Sequence, residues 1–97
     1  QMAELLEFRD GRVLKVLQSD WADADKAIEL RYIGLDFKLK KLNNKITDLS
    51  NKLIETDSKR ERKKIEKQIK RAQEQVDKIK PEVDYYKERE LELRNTA

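Results

Sequence analysis

Carboxylates, lysine and arginine cations, and a few aromatic rings are the side chains of this 97-residue chain that could do chemistry. There is no Cys and no His. That removes disulfides, Cys/His zinc sites, histidine general bases and every His-containing triad. Asp20, Asp23 and Asp25 are one close group of carboxylates. They fall in a helical pattern and lack the glycine turn of a calcium loop, so no metal is expected there. No constellation points to a reaction. A non-enzymatic chain with no cofactor and no metal is the expectation.

The cations are more informative. Residues 1–30 carry a net charge of −3, residues 31–80 of +8 and residues 81–97 of −2. Lys38, Lys41, Lys45 and Lys52 form one stripe, and Arg60, Lys64, Lys67 and Arg71 form another. The densest run, from Lys59 to Lys64, also includes Lys63. Such stripes are the footprint of electrostatic polyanion binding. Lysine is equally normal on a solvated coiled-coil exterior, and that is the favoured alternative. No aromatic residue stands by for base stacking. An acidic protein surface is a third candidate ligand. The placement opposes helix stability at both ends, with cations where a helix begins and Glu88, Glu90 and Glu92 near where it stops. That polarity suits a contact.

These charges must be carried by long helices. Charged residues make up 44% and apolar residues 37%, while Gly and Pro together number three. High charge alone would also suit disorder, but regular apolar spacing decides for helix. Leu14, Trp21, Ile28, Leu35, Leu42 and Leu49 recur every seven residues. Tyr32, Leu39, Ile46 and Leu53 form a second row, which Leu17 and Ala24 join one step early. This heptad seam predicts one helix from about Val13 to Glu55, with Gly34 its weak point. A second seam, Ile65, Ile69, Ala72, Val76, Ile79, Val83 and Tyr86, predicts a helix from about Lys59 to Asn95. Pro81 should kink or break it.

Between the helices a turn is expected at residues 55–58, with Ser58 and Glu61 spaced as a capping box. So short a connection makes the helices antiparallel neighbours. Facing seam positions then sum to 114 or 115 throughout, from Leu49 with Ile65 to Ile28 with Tyr86. The same register would place Leu93 opposite Trp21. The fold class is therefore all-α: an antiparallel coiled-coil helical hairpin over residues 20–97, with an N-terminal helical overhang or docking segment over residues 1–19. Such a hairpin is a rod of roughly 60 Å, from about 40 residues at 1.5 Å each. An elongated three-helix bundle broken at Gly34 is the alternative. Gln1 before Met2 reads as a vector remnant or the edge of an excised fragment.

Two apolar groups remain outside the seams. Leu5, Leu6, Phe8, Leu14 and Leu17 lie in the overhang, where Asp10-Gly11 is a plausible break. Leu30, Ile33 and Phe37 lie about 180° around the first long helix from its seam. A short helix over residues 3–9 would not reach them. Both groups are expected to bind protein, either a second copy or another helical chain, with homodimerisation favoured. Trp21, Tyr85 and Tyr86 read as core filling at the hairpin base.

Leu35-Asp36-Phe37-Lys38-Leu39-Lys40-Lys41-Leu42, continuing to Leu49-Ser50-Asn51-Lys52-Leu53, resembles the first helix of the seryl-tRNA synthetase N-terminal arm. That family's arm is an antiparallel hairpin that contacts the long variable arm of tRNA. The resemblance covers about residues 28–95 and implies a nucleic-acid-binding arm working through the lysines and arginines of residues 38–71. A membrane-surface helical bundle is a further alternative, although no segment is long and apolar enough to span a bilayer. The leading expectation is a non-catalytic, intracellular and cytoplasmic interaction or scaffold module.

Overall fold

A computed structural model describes residues 2–96, with side chains through Glu92. It contains three helices, α1 (Met2–Gln18), α2 (Asp23–Glu55) and α3 (Lys59–Thr96), and no strand among the described residues. The molecule is all-α and elongated, 56 × 25 × 20 Å.

α2 and α3 form the antiparallel hairpin. Leu42, Ala72 and Val76 are buried at its centre, with Leu39, Ile46 and Ile79 packed against them. These are the residues that the 114/115 register brings together. Ile65 is buried toward the tip and Val83 toward the base. Arg31 reaches Glu82 across the flank of the pair, Nε to Oε1 at 2.8 Å. The turn spans residues 56–58. The expected capping box of Ser58 and Glu61 does not form at the start of α3; Arg62 instead acts at the end of α2. Its Nη1 donates to the Leu53 and Thr56 carbonyls, both at 3.0 Å, while its backbone N–H donates to the Ser58 carbonyl at 2.9 Å. One arginine thereby adds a second donor to the Leu53 carbonyl, which also accepts from the Thr56 N–H at 3.3 Å, satisfies the Thr56 carbonyl and ties the two helices together.

The first long helix does not start at Val13. The chain leaves helix at Ser19 and re-enters it at Asp23. The Ser19 N–H and hydroxyl both donate to the Val16 carbonyl, at 3.1 and 2.6 Å. Asp23 and Asp25 fill the first turn of α2, where negative charge favours the helix dipole. The reversal folds α1 back along α2. Leu14 and Trp21 consequently leave the seam and are exposed, and the seam begins at Ile28. The predicted Trp21–Leu93 pair falls on a side chain outside the described residues.

The three weak points do not interrupt the helices. α1 runs through Asp10-Gly11, α2 through Gly34 and α3 through Pro81. The three-helix alternative broken at Gly34 is thus corrected: there are three helices, but the division lies at residues 19–22. At Pro81 the lost donor belonged to the bond to the Asp77 carbonyl. Asp77 is exposed, so water can take that carbonyl, and the seam residues Val76, Ile79 and Val83 on either side hold the helix in place.

Candidate functional site

The surface of α1 against α2 is built from Leu5, Arg9, Arg12, Val13 and Val16, spaced three and four apart on one helical face. Because α1 is 17 residues long, about 26 Å, it spans the distance that a helix over residues 3–9 could not. Ile33 is only 1% exposed beneath it, and Arg9 lies 4.5 Å over the Phe37 ring. Leu30 is half-buried. The Leu30, Ile33 and Phe37 face of α2 is therefore occupied by the chain's own first helix.

A polar cluster locks this contact. Arg12 Nη1 meets Asp36 Oδ2 at 2.8 Å, and Lys40 Nζ meets the same oxygen at 3.1 Å. The Arg12 guanidinium also lies 5.3 Å from both the Phe8 and Tyr32 rings, and Lys40 Nζ lies 4.4 Å from Phe8. Asp36 is buried yet has two cationic partners, which is what a buried carboxylate requires. Burial, reinforced by the negative charge of Asp36, raises the Tyr32 phenol above the ordinary tyrosine value. Across the hairpin, Arg31 is raised by its bond to Glu82. This cluster has the chemistry of a structural clamp.

Two surfaces remain open. The first is the outer flank of α1. Leu6, Leu14 and Leu17 follow one helical row, with Asp10 in its second place, and all three leucines are exposed, as are Met2 and Trp21. Among the described residues α1 packs on α2 alone and does not touch α3.

The second is a groove along α2 between the start of α1 and the middle of α3. Met2, Leu5, Leu42 and Leu49 supply its apolar lining, and Lys38, Lys41, Lys45 and Lys52 its charge. Asp48 is the one carboxylate in it, and Gln75 is its α3 wall. Arg71 and Lys67 lie one and two turns before Gln75 on the same helical row, and Lys64 lies seven residues before Arg71. The α2 stripe lines this groove; the α3 stripe does not, and Gln75 is the α3 residue in its wall. Lys59, Arg60 and Lys63 lie nearer the tip and are exposed. Tyr86 packs near Tyr32 and Tyr85, with ring centroids at 6.3 and 5.5 Å, but Tyr85 is 61% exposed, so neither it nor Trp21 fills the core as expected and only Tyr86 of the three is half-buried.

No helix among the described residues is long and apolar enough to cross a membrane. Residues 25–84, more than half of the chain, match a family model described as effector-associated domain 9. No curated protein and no solved structure matches the chain. The matched span is the hairpin, from the first turn of α2 to the lower part of α3, and leaves α1 outside. The family so found is not the seryl-tRNA synthetase arm that the heptad segment resembles.

Proposed function

The chain belongs to the effector-associated domain 9 family, and on that premise we propose that it is a non-catalytic interaction module that self-associates through the outer flank of α1. The supporting observation is that α1 is apolar on two sides. One side packs on α2; the other presents Leu6, Leu14 and Leu17 to solvent, with Trp21 beyond the helix end. A helix with a second apolar row gains from burying it, at about 25 cal/mol per Å² of apolar surface removed from water. The row pairs naturally with its own copy in a two-fold contact.

Docking to a different helical protein is the second reading, in keeping with the family description of an effector-associated domain. Light scattering on the wild-type chain and on a Leu6→Ser/Leu17→Ser variant distinguishes the two. A dimer that the variant reduces to a monomer supports self-association. A monomeric wild type shifts the same surface to a heterologous partner. A dimer unaffected by the variant removes α1 as the interface.

A further inference from the structure

The groove beside α2 has a period. Lys38, Lys45 and Lys52 recur every seven residues, and so do Leu42 and Leu49 below them. Seven residues is the repeat that a second helix presents when it lies along the first. In the α2–α3 pair the lysine row flanks the seam, where a partner helix would ordinarily offer carboxylates. The α3 residue in the groove is Gln75, which carries no charge. None of Lys38, Lys41, Lys45 and Lys52 is in an ion pair among the described residues. Four cations and one carboxylate therefore share an apolar trough with their charge uncompensated.

We propose that this groove takes an acidic amphipathic helix of a partner protein. The ligand's apolar residues would rest on Met2, Leu5, Leu42 and Leu49, and its carboxylates would meet the Lys38, Lys45 and Lys52 row. The row runs 14 residues along α2, about 21 Å, so four turns of a ligand helix cover it. The apolar floor distinguishes this ligand from a nucleic acid, whose backbone would use the lysines and leave the leucines uncovered. The groove also lacks the aromatic platform on which single-stranded bases stack. Apart from Met2, which borders both, this surface is distinct from the outer flank of α1 and does not depend on self-association there.

The test is fluorescence anisotropy of the full chain with a labelled helical peptide of about three heptads, leucine at a and d and glutamate at e and g. Three comparators accompany it: the same composition scrambled, the peptide with lysine replacing glutamate, and a labelled RNA oligonucleotide. The glutamate peptide is expected to bind one to one and to weaken as salt is raised. Lys38→Glu/Lys45→Glu/Lys52→Glu should weaken it about tenfold or more, whereas Lys70→Glu, on an exposed part of α3, should not. Circular dichroism of each variant checks that the helices persist. Equal binding of the scrambled peptide or of RNA would overturn the proposal, as would an unaffected triple variant. It is also overturned if the triple variant abolishes self-association of the wild-type chain, because a second copy would then be the occupant.

Discussion

Truncating Ile33 separates a face buried within the chain from a face held for a partner. Ile33→Ala removes three carbon groups from a side chain that is 1% exposed. At about 0.8 kcal/mol for each buried group the transfer loss is roughly 2.4 kcal/mol, and an incompletely collapsed cavity brings the total to about 3 kcal/mol. A domain of this length has a total stability on the order of 5–15 kcal/mol, so the loss should be plain in a urea melt followed by helical circular dichroism. The corresponding fall in Tm is about 12–24 °C. Native mass should not change, because Ile33 touches α1 of its own chain and not a second protomer. A destabilisation under about 1 kcal/mol would refute the packing of α1 on α2. So would a variant that keeps its stability but loses a dimer.

Asp36→Asn should cost about 1.5–3 kcal/mol, because Arg12 and Lys40 lose the charge of their shared acceptor in a mostly buried place. Hydrogen exchange should show α1 opening before the α2–α3 hairpin does. Gly34→Ala and Gly11→Ala should each stabilise by about 0.5–1 kcal/mol, since both glycines are helical and an added Cβ meets nothing within 4 Å; thermal melts check this. Tyr32 holds its proton more tightly folded than unfolded, so the folded chain binds the extra proton and stability falls as pH rises through and beyond the ordinary tyrosine range. Tyr32→Phe should flatten that alkaline loss in melts taken across the range.

The hairpin was legible in the sequence because two rows of apolar residues, read separately, agreed on one register from Leu49 to Ile28. The turn was legible because residues 55–58 interrupt both rows. The break at residues 19–22 also left a mark: Leu17 and Ala24 stand one step out of phase with Tyr32 and Leu39. Read as a tolerated irregularity, that slip hid the division between two helices. The heptad seam carried one helix through Gly34, as the structure has it, while Gly11 and Pro81 each suggested a break that does not occur. Each disfavours helix locally, but packing on both sides of it decides the outcome. The coverage of Ile33 and Phe37 could not be read until α1 was known to run 17 residues and reverse at Ser19. The basic stripes were visible from spacing alone. That the α2 stripe lines an apolar groove was not, because it depends on where the start of α1 and Gln75 come to rest.

Sedimentation equilibrium of the wild-type chain over a wide concentration range, beside Leu6→Ser/Leu17→Ser, tests the proposed function most directly. The chain has a mass of 11.6 kDa. The predicted result is a wild type that moves toward twice that mass as concentration rises, and a variant that stays at the single-chain mass with its helical signal intact. A variant that dimerises as well as the wild type would contradict the assignment of the outer flank of α1 as the self-association surface.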